Sequence, residues 1–365
     1  MSFIPQLKIG EKIAKIPIIQ GGMSVGISLS RLSSAVANEG GIGVIGAAGI
    51  GMMEPDFGKN YSEANNRALR KEIRKAKEKT NGLIGVNILM ALTDYSDLIK
   101  VSVEEGADFV FLGAGLPLKM PKELTESENT KTIPIVSSGR AVKVIFRHWE
   151  RHYERIPDAV VLEGPLAGGH LGFKLEQIED PKYSLENLLP EVIENAKVFE
   201  DKYSKKIPIV VAGGIYTGED IYKFIRMGAD GVQMATRFVA THECDASEAF
   251  KLAYVKAKKE NIIIIKSPVG LPGRAIKNEF LEAVEKGMKT PFSCPWQCLS
   301  HCDYKSSPYC ISLALTNAKK GKFNYGFAFA GANAYRVDKI ISVKELINTL
   351  LKEYKEAVEK NQKNQ

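Results

Sequence analysis

Short, continuously apolar runs recur at 16–20 (IPIIQ), 42–46 (IGVIG), 83–87 (LIGVN), 108–112 (DFVFL), 133–137 (IPIVS), 158–162 (DAVVL), 207–211 (IPIVV) and 230–234 (DGVQM). They do not alternate with polar residues, which is how parallel strands covered on both faces look. Between them, apolar residues at helical spacing predict helices over 29–39, 62–79, 94–105, 141–155, 185–200 and 218–227. The stretch 116–130 carries only a weak helical pattern. Strand and helix alternating around eight strands predict an α/β fold, the (β/α)8 TIM barrel. The runner-up, an open doubly wound sheet, would want GxGxxG after its first strand. The segment there, QGGMSVG, does not fit.

Local echoes agree with repetition. Ile-Pro-Ile opens the runs at 16, 133 and 207, and proline is tolerated at a strand's first residue. Gly-Ala-Asp occurs at 106–108 and 228–230, where the glycine reads as a helix end feeding the next strand. Beyond 240 the pattern changes. A helix is expected over 246–259, followed by NIIIIK, then SPVGLPGR (267–274), a cysteine-rich stretch and FNYGFAFAGANAYR (323–336). Ser342 and Glu345 then form a capping box before a stripe of Leu346, Ile347, Leu350, Leu351, Tyr354 and Val358. The expected organisation is a barrel over 1–260 and a cysteine-containing elaboration over 261–365. Its amphipathic last helix packs on the barrel.

Composition fits this picture. The chain has 365 residues, 44% hydrophobic and 25% charged, all in the globular range. A barrel takes about 250 residues, so the elaboration accounts for the surplus. The net charge of +7 is spread over helix faces where Lys and Arg interleave with Glu, as at 70–79 and 351–360. That is a solvated surface and not a nucleic-acid stripe. The apolar run 40–53 holds 14 residues, six of them glycine, too short and too glycine-rich to span a membrane. With no apolar signal core near the start, a cytoplasmic location is expected.

Barrel enzymes work at the C-terminal ends of their strands. Those ends read Gln20-Gly21-Gly22-Met23, Gly46-Ala47-Ala48-Gly49, Asn87, Gly113-Ala114-Gly115, Ser137-Ser138-Gly139, EGPLAGGHLGF (163–173), Ala212-Gly213-Gly214-Ile215 and Met234-Ala235-Thr236-Arg237. One glycine at such a place can be a simple turn residue. A ring of them lets backbone approach a flat, phosphorylated ligand. The seventh and eighth ends are the usual phosphate site of this fold. There, Gly213 and Gly214 offer N–H groups, and the helix opening at Thr217 offers an N-terminus. Thr236 and Arg237 would add a hydroxyl and a charge. His170 stands just past a strand end between glycines and suits proton transfer near neutral pH. Its plain alternative is a histidine bonded to a loop carbonyl. His148 and His152 belong to a charged helix face, and His242 and His301 stay unassigned.

Taken together, IPIIQGGM, GVNIL, EGPLAGGHLGF, IPIVVAGGI and GVQMATRF resemble, in order and spacing, the nitronate monooxygenase (2-nitropropane dioxygenase) family. That family also holds the FMN-dependent enoyl-acyl-carrier-protein reductases. The resemblance covers about residues 5–280 and implies a TIM barrel that binds FMN non-covalently. It implies Gln20, Gly21, Gly22, Met23 and Asn87 beside the flavin ring and ribityl chain, bordered by Gly168 and Gly169. It makes His170 catalytic and gives the phosphate to Gly213, Gly214, Ala235 and Thr236. The chain departs from the family at Ala235, where glycine is commoner, at 147–157, and in its cysteine cluster. The family's general activity is oxidation of alkyl nitronates to a carbonyl compound and nitrite, which is the first expectation. NAD(P)H-dependent reduction of an enoyl thioester, with acyl carrier protein as partner, is the alternative, and a flavin-binding module without turnover is a minor one. A small-molecule substrate is expected in both enzyme readings, with a homodimer admitted.

Four of the five cysteines, Cys294, Cys298, Cys302 and Cys310, fall within 17 residues. The spacing C-x3-C-x3-C-x7-C matches neither the C-x2-C pairs of zinc fingers nor the C-x2-C-x2-C ferredoxin run. A helix over 294–302 would place three thiols on one face, with Cys310 returning from a turn. The readings are a [4Fe–4S] cluster, zinc or another metal, or reduced structural thiols.

Overall fold

The chain is described here by a computed structural model covering residues 4–294 and 296–363. Eight parallel strands, Ile18–Gln20, Ile42–Gly46, Leu83–Leu89, Phe109–Gly113, Lys131–Val136, Val160–Glu163, Ile209–Ala212 and Gly231–Met234, close into a barrel in chain order. The eighth pairs back onto the first, Met234 opposite Gln20. The fold is the (β/α)8 TIM barrel. Helices Ser30–Asn38, Tyr61–Lys79, Tyr95–Glu104, Gly139–Tyr153, Leu185–Tyr203 and Gly218–Arg226 surround it, each where the helical spacing placed it. The weak stretch at 116–130 yields only the short helix Lys122–Thr125. Among the described residues, no helix is long and apolar enough to cross a membrane.

Inside the barrel, Ile19, Val44, Phe109, Phe111, Ile133, Val161 and Val210 form a closed apolar plug. Leu7 and Ile9 join it from an antiparallel hairpin, Leu7–Ile9 with Lys12–Ala14, which seals the N-terminal end. The barrel is thus solid at one end and can hold a ligand only at the other.

The Gly-Ala-Asp echo has a structural reason beyond its glycine. Asp108 and Asp230, at the strand entries, accept N–H groups from the start of the neighbouring strands, from Ile84 at 2.9 Å and Ile209 at 2.8 Å. Asp158 does the same for Thr132 at 2.9 Å. The sixth strand has the aspartate without the tripeptide.

The elaboration is woven into the barrel. Leu346, Ile347, Leu350 and Tyr354 of the helix Val343–Lys363 share one buried cluster with the barrel's outer strand faces. Ser342 Oγ caps this helix by accepting from the Glu345 N–H at 3.0 Å. Upstream, Ile262–Lys266 and Pro272–Ile276 form a hairpin. Its second strand takes on a third, Gly169–His170, from the loop after the sixth barrel strand.

Candidate active site at the barrel mouth

A cavity of about 910 Å³ opens at the C-terminal end of the barrel. Gly21, Gly22, Met23, Asn87, Gly168, Gly169, His170, Gly213, Gly214, Ala235 and Thr236 all line it. Gln20 lies fully buried and is not among the lining residues. Its Oε1 accepts from the Val44 N–H at 3.0 Å and its Nε2 donates to the Gly21 carbonyl at 2.5 Å. The first and second strands share only the Ile19–Ile42 pair, so this side chain completes their junction. Above it, packing requires glycine at 22: a Cβ there would stand 2.4 Å from Asn87 Cβ and 3.0 Å from Val44 Cγ1.

At the seventh and eighth strand ends, the N–H groups of Gly214, Ala235 and Thr236 have no hydrogen-bond partner among the described residues. Such a cluster suits an anion. The neighbouring helix does not contribute as expected. Thr217 caps it, accepting from the Asp220 N–H at 3.1 Å, but its Gly218 N–H is taken by Glu353 of the last helix at 2.7 Å. A carboxylate of the protein already occupies that N-terminus. Arg237 also turns aside, donating to the Tyr216 carbonyl at 3.0 Å and stacking on the Tyr216 ring at 4.8 Å.

His170 is held from three sides. It pairs with Gly273 in the added sheet, its Nε2 lies 2.7 Å from Ser267 Oγ, and Phe329 meets its ring edgewise at 4.9 Å. Burial pushes its pKa down to about 4, so the imidazole is neutral at physiological pH. Ser267, Phe329 and the pairing strand all come from the elaboration. Arg274 fixes the same loop from beneath: its buried Nη1 donates to the carbonyls of Pro165 and Ala167, both at 2.6 Å. At Gly168 a Cβ would meet the Ala330 and Gly331 backbone at 2.5 Å. Gly168→Ala is therefore expected to destabilise the protein by about 1–3 kcal/mol in denaturant unfolding, since backbone cannot move aside like a side chain. Wild-type stability in that variant would contradict the packing described.

Glu163 escaped sequence reasoning, although it heads the EGPLAGGHLGF segment. It ends the sixth strand, lines the cavity, and has no hydrogen-bonding or charged partner among the described residues. Burial pushes its pKa up from 4.5 to about 7. A carboxyl that keeps its proton more tightly when folded favours folding while protonated. Its contribution is complete below about 4.5 and is lost as pH rises through about 7. Thermal unfolding of the ligand-free protein should therefore show wild type losing stability relative to Glu163→Gln across that window. Parallel pH profiles would contradict this. An acid at the end of the apolar run VVLE was the signal available in the sequence.

Of the remaining histidines, His301 lines the mouth, His242 and His152 are exposed, and His148 stacks on His152. The segment 294–302, placed as a helix under one expectation, is not helical among its described residues. Cys294, Cys298, Cys302 and Cys310 are free thiols. No three His, Cys, Asp or Glu side chains among the described residues are spaced to hold a metal ion.

The family model for nitronate monooxygenase matches residues 7–353 of this chain. The chain belongs to that family. Its members are FMN-dependent oxidoreductases, and the chain is an enzyme of this kind. The match runs past residue 280, where the resemblance had been ended, and takes in the added sheet and the cysteine segment. Among solved structures, the chain is similar to FabK from Thermotoga maritima, at 31% identity and a TM-score of 0.74 over 96% of each chain. It is 26% identical to a probable nitronate monooxygenase of Staphylococcus saprophyticus, over 74% of this chain and 78% of that one. It is also 26% identical to a hydroxy-methyl-oxo-octahydroindene-carboxyl-CoA dehydrogenase of Mycobacterium tuberculosis, over 75% of this chain. There the match spans 66% of the relative's length.

Proposed function

We propose that the protein binds FMN at the barrel mouth and uses NAD(P)H to reduce the carbon–carbon double bond of an enoyl thioester. The fit to FMN rests on the glycine-lined mouth, the three partnerless N–H groups at the seventh and eighth strand ends, and the unpartnered Glu163 carboxyl. FMN, when bound, supplies the two-electron chemistry that links the nicotinamide to the substrate. The chain's own residues bind, orient and handle protons. Gly214, Ala235 and Thr236 would take the phosphate, and Gly22, Met23, Asn87 and Gly168 would border the ring system. With the Ser267 hydroxyl donating to Nε2, the neutral His170 ring carries its proton on Nδ1. That N–H can donate to the thioester carbonyl and to the enolate oxygen as charge develops there.

The observation that carries the thioester reading is the lining of the cavity. Leu89, Met90, Leu118, Leu166, Val269, Leu271 and Phe329 make it largely apolar. Among the described residues, its only lysine or arginine is Lys119, which is exposed. A small anionic nitronate would find no buried cation there, whereas an acyl thioester is uncharged at its reacting end. The likeness to FabK and to a CoA-ester dehydrogenase supports this order. Nitronate oxidation is the second reading, favoured by the family match and the Staphylococcus relative. Anaerobic mixing separates them. NADH or NADPH should bleach the flavin and crotonyl thioester should restore its colour. Bleaching by alkyl nitronate alone would reverse the order, and bleaching by neither would remove both readings.

A further inference from the structure

The cavity at the mouth does not stop at the strand ends. Ile27, Val239, Phe250, Tyr254 and Leu315 also line it, and none of them belongs to a barrel strand. Ile27 lies in the loop after the first strand, and Val239 ends the helix Thr236–Val239. Phe250 and Tyr254 sit on the helix Glu248–Val255, and Leu315 sits on the helix Ile311–Lys319. Val239, Phe250 and Tyr254 are buried, so this branch of the cavity runs beneath the surface, between barrel and elaboration.

The branch leads off from the His170 side of the mouth. The Tyr254 hydroxyl donates to the Phe329 carbonyl, and Phe329 is the ring that meets His170 edgewise at 4.9 Å. That hydroxyl is the only polar side-chain group of the five residues, and the carbonyl takes it. What remains is aliphatic and aromatic, without charge or a free side-chain donor. The walls are fixed. The Ile27 carbonyl accepts from the Asp245 N–H at 3.0 Å. Thr316, next to Leu315, donates from its hydroxyl to Met52 Sδ at 2.8 Å. A Cβ at Gly326 would stand 1.8 Å from the Ala314 carbonyl oxygen, so backbone packs directly on the Leu315 helix. A polar group entering the branch would give up water with no partner to replace it. The ribityl, nicotinamide and phosphate groups of the cofactors are excluded on that ground, whereas a hydrocarbon chain gains by entering.

We infer that this branch receives the acyl chain of the substrate, and that Leu315 and Ile27 set the chain length accepted. The inference rests on the thioester reading, but binding tests it apart from turnover. Saturated butyryl, hexanoyl and octanoyl thioesters of coenzyme A have no double bond to reduce. Calorimetry on the full-length protein should show affinity rising about three- to fourfold per methylene, the transfer free energy of one CH2 group. Leu315→Trp, which fills the branch, should remove most of that gain and leave butyryl affinity unchanged. Ile27→Phe narrows the same space from another wall and should act alike. Circular dichroism reports whether each variant folds. With NAD(P)H, kcat/KM for 2-octenoyl thioester should fall in both variants, while that for crotonyl thioester stays. A binding series intact without turnover of any enoyl thioester would remove the reduction reading and leave the branch an acyl site. Equal affinity for the three chains in wild type, or no binding of any, would overturn the inference. So would a series unchanged by the substitutions, or a loss at butyryl as large as that at octanoyl.

Discussion

His170→Ala should retain bound FMN and lose turnover by about 10²–10³-fold, the usual cost of removing one donor to a developing oxyanion. The imidazole lies in the cavity wall, but it is held through Ser267, Phe329 and the added sheet. Removing its ring leaves the partnerless N–H groups of Gly214, Ala235 and Thr236 intact. Flavin binding and catalysis are thus expected to separate in this variant. Ser267→Ala should have a smaller effect of the same kind, because it frees the ring to exchange its protonated nitrogen. Turnover near wild type in His170→Ala would take the residue out of the reaction.

Arg274→Met should be among the more destabilising single changes near the site. The side chain is buried, burial holds its pKa below the usual arginine range, and one nitrogen serves two carbonyls of the 163–169 loop. Methionine fills much of the volume but donates nothing, so Pro165 and Ala167 would be left with unpaired carbonyls. The loss expected is about 2–4 kcal/mol in denaturant unfolding, from hydrogen bonds to a charged donor and the desolvation they offset. Because the same loop carries Gly168, Gly169 and His170, flavin affinity and turnover should fall with stability. Arg274→Lys should recover only part, since the shorter side chain ends in a more strongly hydrated ammonium that is costlier to bury. Wild-type stability in Arg274→Met would show that the loop does not depend on this anchor.

The barrel was legible because buried parallel strands write themselves as unbroken apolar runs such as IPIVV and LIGVN, and eight of these alternate with helical patterns along the chain. The lining glycines and His170 were legible because the fold places strand ends at its mouth. What stayed hidden depended on contacts between distant residues. Gly169–His170 becomes a strand only because Pro272–Ile276 arrives beside it, about a hundred positions later. Ser267 and Arg274 could not be tied to the loop for the same reason. The hairpin Leu7–Ile9 with Lys12–Ala14 has strands of three residues, too short for a pattern. Gln20 adjoins residues that line the cavity, but its amide completes a strand junction. The helix at Thr217 showed its cap correctly. Nothing local revealed that Glu353 would fill its N-terminus.

The central claim is that this mouth holds FMN, and the flavin content of the purified full-length protein tests it most directly. Heat-released cofactor should be FMN, about one per chain. A wild-type protein that neither carries FMN nor takes it up when offered in excess would contradict the account.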